Sequence, residues 1–245
     1  MRLKTLKIVE SRAALNDIPQ GKVLINTINA HSYNVAQDDQ AFASALINGD
    51  YLVPDGASIV KACRWIKALS RPKERIAGWD LFEHEMGRLA DEARQQHQQL
   101  TVMFMGSSEK VLGLIRQRCA VDYPMFNVCT YSPPYKPTFS EEDNNNIINA
   151  INTANPDLLW IGMTAPKQEK WTYEHWHELD IHCHVGTIGA VFDFYAGTVK
   201  RAPRWWQEHS LEWFYRLIKE PRRLWRRYII GNMLFIWFLL KNEKS

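Results

Sequence analysis

"DLLWIGMTAPKQEKWTYEHWHE", residues 157–178, is the stretch of sequence that decides the fold. It begins with a short apolar run of strand length, and the part from Pro166 onward has the apolar spacing of an amphipathic helix. Proline is normal in the first turn of a helix, where its missing N–H would have no partner. The stretch therefore predicts a strand followed directly by a helix, which is the repeating unit of parallel sheets.

The same strand-then-helix succession recurs up to about Thr198. Further strands are predicted at KVLINTIN (22–29), YLVP (51–54), LTVMFMG (100–106), FNVCTYS (126–132) and IHCHVGTIG (181–189). Further helices are predicted at SYNVAQDDQAFASALING (32–49), GASIVKACRWIKAL (56–69), GWDLFEHEMGRLADEARQQ (78–96), SSEKVLGLIRQRC (107–119) and EEDNNNIINAINTA (141–154). The sequence thus predicts an α/β fold, with a mostly parallel, Rossmann-like sheet and helices on both of its faces.

The composition is that of an ordinary globular protein, with 245 residues of which 46% are hydrophobic and 23% charged. The four cysteines form no C-x-x-C pair, so the sequence indicates neither a disulfide framework nor a cysteine zinc site. The first residues lack the apolar stretch of a signal peptide, and no window is long and uncharged enough for a spanning helix. We therefore predict a cytoplasmic protein that is neither exported nor membrane-spanning.

A strongly basic C-terminal segment is hidden by the modest net charge of +3. Residues 200–227 hold nine Lys/Arg against three acids, and the run EPRRLWRRYIIGNMLFIWFLLK (220–241) continues with mostly apolar and aromatic residues. Such a segment attracts phosphates on lipids, nucleotides or nucleic acid. We therefore predict two parts, an α/β domain over residues 1–198 and a C-terminal basic amphipathic helical appendage over residues 199–245.

Polar residues at the predicted strand ends are the first candidates for a site, because ligands of such folds bind at the carboxyl ends of parallel strands. Thr27 and Asn29 lie on the same side of the first strand end, since side chains alternate with period two. Asp55 follows the YLVP strand directly and precedes Gly56. Turn formation and helix capping remain structural alternatives for these residues.

Two strand-to-helix junctions have features of an anion site. Lys167 and Gln168 fall in the first turn of the helix that Pro166 opens, where the helix dipole already favours anions. Gly106 begins a turn with two hydroxyl residues, which is a weaker indication of a phosphate cradle. The chain contains neither G-x-G-x-x-G nor G-x-x-x-x-G-K-[ST], which argues against dinucleotide oxidoreductases and P-loop enzymes.

Four histidines lie close together in the sequence, at His175, His177, His182 and His184. Histidines at such spacing can hold zinc, but no carboxylate or cysteine completes a convincing order of ligands. We interpret them as surface or packing residues and predict no metal site.

Five segments occur in an order and at a spacing that identify a family. They are VPDGASIV (53–60), ERIAGWDLFE (74–83), GMTAPKQEKW (162–171), GAVFDFYAGTVKRAPRWWQ (189–207) and LEWFYRLIKEPRRLWRRY (211–228). The chain resembles the WecG/TagA/CpsF glycosyltransferases, glycosyltransferase family 26, over about residues 23–228. It departs from the family at Gly106, where GSSEKV stands in place of a Gly-Gly-x-Pro-Gly turn.

This resemblance implies an inverting glycosyltransferase in cell-surface polysaccharide biosynthesis. The enzyme would move a sugar of N-acetylmannosamine type, or a related hexose, from a UDP-sugar to a polyprenyl-diphosphate-linked saccharide on the cytoplasmic face of the membrane. By the same resemblance Asp55 matches the general base of the family. Its pocket residues are matched by Thr27, Asn29, Arg75 and Gln168.

Positive charge is needed to stabilise the UDP diphosphate as it leaves. Many glycosyltransferases supply it with a divalent metal held by a D-x-D motif, but this sequence has no D-x-D. We therefore expect no metal and no cofactor, with arginines in that role. The candidates are Arg75 and the C-terminal Arg216, Arg222, Arg223, Arg226 and Arg227.

The basic segment also predicts contact with an anionic membrane surface. Arg222 and Arg226 are four residues apart and share a helical face, and the apolar run over 228–240 is too short to span a bilayer. Its apolar face further predicts a homo-oligomer where no membrane is present. Nucleic acid is not an expected partner, because the charge is confined to this segment and no known binding module is present.

A non-catalytic membrane-surface or nucleotide-binding adaptor is the alternative function. Such an adaptor would keep the basic segment, but it has no need of Asp55, Arg75 and Gln168 at strand ends. Release of UDP from a UDP-sugar would distinguish an enzyme from an adaptor.

Overall fold

A six-stranded parallel sheet forms the centre of the part of the chain that the structure describes. The structure is a computed structural model that describes residues 1–208 and 211–243, without the side chains of Arg204, Glu208 and Arg223. The strands are β1 (Val23–Ile28), β2 (Tyr51–Pro54), β3 (Leu100–Gly106), β4 (Phe126–Tyr131), β5 (Leu158–Gly162) and β6 (His184–Thr187). Their order in the sheet is β2-β1-β6-β5-β3-β4, and each neighbouring pair is parallel.

Helices connect the strands and cover both faces of the sheet. They are α1 (Ala30–Asp38), α2 (Gln40–Ile47), α3 (Ala57–Trp65), α4 (Gly78–Gln96), α5 (Glu109–Asp122), α6 (Glu141–Ala154), α7 (Lys167–Glu174), α8 (Gly189–Ala196), α9 (Arg204–Glu208), α10 (Glu212–Lys219), α11 (Pro221–Trp225) and α12 (Gly231–Asn242). Short 3-10 helices occupy Leu3–Thr5, Ala13–Asp17 and Trp176–Glu178, and a π-helical turn, Arg226–Ile230, joins α11 to α12. The predicted α/β fold with helices on both faces is confirmed.

One predicted helix, over residues 32–49, is two helices in the structure. The chain breaks at Asp39, whose backbone is extended and whose carboxylate accepts the N–H of Phe42 at 2.9 Å. Asp39 thereby ends α1 and caps α2, and a cap of this kind satisfies an N–H that would have no partner inside the helix. Periodicity alone could not separate the two helices, because the apolar pattern continues across the break.

Apolar side chains on both faces of the sheet hold the layers together. On one face Trp160 and Phe104 pack with Phe82 of α4 and Phe192 of α8, with ring centroids 5.4 Å apart for both Phe82–Trp160 and Phe104–Phe192. On the other face the strands pack against α6 and α7 at one side and against α1 to α3 at the other. Burial of strands on both faces is typical of parallel sheets and explains their nearly continuous apolar sequence.

The C-terminal helix α12 packs on the same face of the sheet as α1 to α3. Phe235 contacts Tyr33 of α1 edge-on, with ring centroids 5.3 Å apart, and both side chains are buried. Just after α12, the carboxylate of Glu243 accepts the N–H groups of Leu3 and Lys4 and the hydroxyl of Tyr33. Among the described residues, no helix combines the length and the apolar character needed to cross a bilayer.

Candidate active site

A cleft of about 1870 Å³ lies where the strands end, at the carboxyl edge of the sheet. Because all strands are parallel, the loops after them meet at this edge. The loops after all six strands contribute to the cleft, and the segment from Val199 to Leu239 supplies much of its opposite wall. Most of the residues predicted for the site line it: Thr27, Asn29, Asp55, Arg75, Lys167, Gln168, Arg216 and Arg227.

Asp55 is a carboxylate with only partial access to the cleft. Its backbone N–H donates to the carbonyl of Ile28 at 2.9 Å, which extends the pairing of β1 and β2 by one residue. The side chain is 29% exposed, and Oδ1 accepts the N–H of Gly78 at 3.3 Å. Burial raises the pKa of Asp55; Arg75 works to lower it and Glu212 raises it further. A carboxyl group with a raised pKa is a stronger base once it is ionised.

Arg75 is held beside Asp55 by three contacts. Its Nε donates to the backbone carbonyl of Asp55 at 3.1 Å, and its Nη2 lies 3.0 Å from Glu212 Oε2 and 3.8 Å from Asp55 Oδ1. The Arg75 side chain is 23% exposed and lines the cleft. It can therefore meet a phosphate without leaving its place.

Thr27 and Asn29 lie at the end of β1, as period two predicts. Asn29 caps α1: its Oδ1 accepts the N–H groups of His31 at 3.0 Å and Ser32 at 3.1 Å. It is also close enough to Asp55 for its amide to lower the pKa of that carboxyl group. Asn29 therefore caps a helix and also lies beside Asp55, so its structural and functional interpretations are compatible.

Gln168 joins two strand ends beneath the cleft. Its Oε1 accepts the N–H of Met163, after β5, and the N–H of Gly189, at the start of α8, each at 3.1 Å. A Cβ at Gly189 would lie 2.3 Å from the carbonyl oxygen of Met163, so only glycine allows this approach. The side chain of Gln168 is buried, and its amide donates to Glu169. Gln168 therefore mainly holds the loops beneath the cleft in place.

Lys167 lies on the side of the cleft formed by the loop after β4. Its ammonium group donates to the carbonyl of Lys136 and lies 3.4 Å from the ring centroid of Phe139. Burial lowers its pKa, with a smaller opposing effect of Asp143. Lys167 thus holds the loop after β4 in place and adds a positive charge to this side of the cleft.

Gly106 lies behind the wall of the cleft rather than in it. It pairs with Gly162 of β5, has φ of +120°, and a Cβ there would lie 2.4 Å from the Gly162 carbonyl oxygen. Its residue type is therefore required by packing between strands. The two hydroxyl residues that follow, Ser107 and Ser108, line the cleft instead.

The predicted C-terminal arginines divide between two surfaces. Arg216 and Arg227 line the cleft, and Arg227 is near enough to His31 to help lower the pKa of that imidazole to about 4, an effect caused mainly by burial. Arg222 and Arg226 are exposed and lie outside the cleft lining. The side chain of Arg223 lies outside the part of the chain that the structure describes.

Two site residues were missed from the sequence, Glu212 and Arg201. Glu212 is 8% exposed and binds Arg75, while its other oxygen lies 4.0 Å from Nε of Arg201. Arg201 also stacks over Trp79 at 4.9 Å. The one available signal was that Glu212 is one of only three acids within the basic segment.

The clustered histidines are not brought together. His184 is buried, with Nδ1 2.9 Å from Glu85, and His175 contacts Glu178 at 2.7 Å. Across residues 1–208 and 211–243, no group of three or more His, Cys, Asp or Glu side chains is arranged to hold a metal ion.

Comparison with known proteins matches the chain to one family of glycosyltransferases. The sequence profile of the family described as "Glycosyl transferase WecG/TagA/CpsF family" matches residues 2–245. An N-acetylglucosaminyldiphosphoundecaprenol N-acetyl-beta-D-mannosaminyltransferase of Bacillus subtilis (strain 168) is 29% identical over 222 residues, 91% of this chain and 80% of the relative. The enzyme of the same name from Bacillus spizizenii is 30% identical over 211 residues, 86% of this chain and 76% of that relative. The chain therefore belongs to the WecG/TagA/CpsF family of glycosyltransferases.

Proposed function

We propose that this glycosyltransferase moves a sugar of N-acetylmannosamine type from a UDP-sugar to a polyprenyl-diphosphate-linked N-acetylglucosamine. The acceptor and the transferred sugar are those in the names of the two Bacillus relatives. The observation that carries the proposal is the partly exposed carboxylate of Asp55, with a raised pKa, in a cleft that is also lined by several arginines. Acid and base chemistry next to a site for phosphates is what sugar transfer from a nucleotide requires.

In the proposed reaction Asp55 takes the proton of the acceptor hydroxyl. The hydroxyl oxygen then forms a bond to the anomeric carbon of the donor, while the bond from that carbon to the UDP oxygen breaks. Attack from the side opposite UDP inverts the configuration at that carbon. The proton stays on Asp55, and the electron pair of the broken bond leaves with UDP.

Arginines are proposed to stabilise the charge that develops on the diphosphate. Arg75, Arg216 and Arg227 line the cleft, and guanidinium groups match phosphate oxygens in geometry. The sequence has no D-x-D motif to recruit a divalent cation. We therefore expect transfer to continue in EDTA, at a rate within about twofold of the untreated enzyme. Loss of transfer in EDTA that Mg²⁺ or Mn²⁺ restores would contradict metal-independent transfer.

The site of action is proposed to be the inner face of the cell membrane, where a polyprenyl-linked acceptor is held. Support comes from the outer side of the C-terminal segment, where Arg222 and Arg226 are exposed beside apolar side chains. Among residues 221–242 the most exposed apolar side chains are those of Ile229, Met233, Ile236 and Trp237. A surface of cations and large apolar groups suits the interface of an anionic bilayer.

The decisive experiment is a donor panel. The protein is incubated with a set of UDP-sugars and a short polyprenyl-diphosphate N-acetylglucosamine analogue, and the products are identified by mass. We expect one product, heavier than the acceptor by an N-acetylhexosamine or related hexose unit, together with UDP. Binding of donors without any product would favour the adaptor.

A further inference from the structure

Glu212 is a buried carboxylate within a basic segment. It is the first residue of α10, and its two oxygens face different cations: Oε2 lies 3.0 Å from Arg75 Nη2 and Oε1 lies 4.0 Å from Arg201 Nε. Arg75 precedes α4, so the contact joins residues 137 positions apart. An acid that is 8% exposed needs such partners, because an unpaired buried charge is costly.

The contact decides where the Arg75 guanidinium lies relative to Asp55. Arg75 Nη2 is 3.0 Å from Glu212 but 3.8 Å from Asp55 Oδ1, and Nε is directed to the backbone carbonyl of Asp55. The guanidinium is therefore hydrogen-bonded to Glu212 and to the main chain, and not to the carboxylate of Asp55. The Asp55 side chain receives the weaker N–H of Gly78 at 3.3 Å.

The distance between Arg75 and the Asp55 carboxylate affects how well Asp55 can act as a base. A guanidinium hydrogen-bonded directly to a carboxylate favours its ionised form and makes it a poor proton acceptor. We propose that Glu212 is a positioning residue, which holds the Arg75 guanidinium off the Asp55 carboxylate and thereby keeps Asp55 an effective base. The inference rests on the proposed function of Asp55 and adds a residue that acts through Arg75.

The charges around Asp55 fit this role. Arg75 and Glu212 are the charged side chains that bear on it directly, and Asn29 and Gly78 contribute hydrogen bonds. Arg201 acts through Glu212, and Asp80 acts through Arg75. Burial raises the pKa of Asp55 most, Arg75 lowers it, and the negative charge of Glu212 raises it further. Removing the charge of Glu212 is expected to lower the pKa of Asp55 for two reasons. The repulsion between the two carboxylates is lost, and Arg75, no longer held by Glu212, can bind the Asp55 carboxylate.

The test compares Glu212→Gln with Glu212→Asp by the pH dependence of kcat/KM, using the soluble acceptor analogue. For Glu212→Gln we expect the acidic limb to move down by on the order of one pH unit and the plateau kcat to fall by roughly three- to tenfold. Glu212→Asp keeps the charge, so its limb should stay near that of the wild type even though its shorter side chain lowers kcat. Circular dichroism and melting curves check that each variant folds.

The outcomes separate the two proposals. A limb that moves in Glu212→Gln and not in Glu212→Asp supports the positioning role. A loss of activity with an unmoved limb, or no change at all, overturns it. Glu83→Gln, an exposed carboxylate of α4 outside the cleft lining, is the matched control and should keep the wild-type profile. If the wild-type enzyme transfers sugar and Asp55→Asn does not, failure at Glu212 leaves the proposed function intact.

Discussion

At the scale of single residues, two carboxyl groups, Asp55 and Glu169, have surroundings that raise their proton affinity. Asp55 is surrounded by the main chain, Arg75 and Glu212, and its pKa is raised. Glu169 is buried one residue after Gln168, and its pKa is also raised. Exposure separates them, because Asp55 reaches the cleft with 29% of its side chain whereas Glu169 is 2% exposed as a residue. We therefore propose a chemical role for Asp55 and a role in stability for Glu169.

Asp55→Asn is expected to lower kcat by roughly 10² to 10⁴, the usual effect of removing a general base. The change keeps the shape of the side chain but removes the proton acceptor. Binding of UDP, measured by calorimetry, should remain close to that of the wild type, because the arginines are untouched. A kcat within a few-fold of the wild type would remove Asp55 from the role of base.

Glu169→Gln is expected to make the protein more stable at alkaline pH. Burial raises the pKa of Glu169 from 4.5 to about 7, so the folded protein keeps a proton that the unfolded chain releases near pH 4.5. The stabilising contribution is full below that pH and is lost as the pH rises through about 7. Glutamine resembles the protonated acid, so at pH 8 the variant should exceed the wild type by roughly 2–3 kcal/mol in free energy of unfolding.

The measurement is urea unfolding of both proteins at pH 5 and pH 8. At pH 5 the two free energies of unfolding should nearly coincide. Glu174→Gln, at the exposed end of the same helix α7, is the control and should show no such difference between the two pH values. An equal difference at both pH values would mean that Glu169 does not titrate in this range.

At the scale of elements, the C-terminal helix α12 has two faces with different roles. Phe235 and Leu239 are buried with α1, whereas Met233 is 69% exposed and Trp237 is 50% exposed. From the sequence we predicted that this segment contacts an anionic membrane surface. The structure instead directs Phe235 into the protein core, so that only the outer face remains available to lipid.

Phe235→Ala and Met233→Ala provide a matched test on this helix. The first removes a buried ring and is expected to cost about 3–5 kcal/mol in free energy of unfolding. The second changes an exposed side chain and should stay within about 0.5 kcal/mol. Equal and small effects, measured by urea unfolding, would show that α12 does not pack on α1 in solution.

Much of the element structure could be predicted from the sequence, because parallel strands and their helices carry strong local patterns. The helix over 141–154 was predicted at its observed bounds, and Asp55 was expected at a strand end, where it lies. Glu212 was not found as a site residue, because its contact with Arg75 joins positions 137 residues apart and leaves no local pattern. For Gly106 the pattern was ambiguous, since a glycine needed for packing resembles one that binds phosphate.

At the scale of the whole molecule, positive charge is divided between the cleft and the outer surface. Arg216 and Arg227 line the cleft, while Arg222 and Arg226 are exposed outside it. The two pairs come from one continuous basic segment. The segment can therefore serve the bound diphosphate and the membrane surface at the same time.

Two double variants should separate these roles. Replacing Arg222 and Arg226 by alanine is expected to weaken binding to anionic vesicles by about 2 kcal/mol, since each basic residue near such a surface contributes about 1 kcal/mol. Transfer to a soluble acceptor should remain unchanged. Replacing Arg216 and Arg227 should instead lower that transfer. If both double variants lose both properties equally, the division of the segment is wrong.

The contact of Glu243 with Leu3 and Lys4 has a consequence for biosynthesis. A ribosome makes the chain from its N-terminus, so Leu3 and Lys4 are made 240 and 239 positions before Glu243, which accepts their backbone N–H groups. The apolar surface that Phe235 and Leu239 cover stays open for the same period. Nascent chains that lack α12 thus expose apolar surface that favours aggregation and binding by chaperones. Much of the opposite wall of the cleft comes from Val199 to Leu239, so we expect catalysis only after this segment has been made.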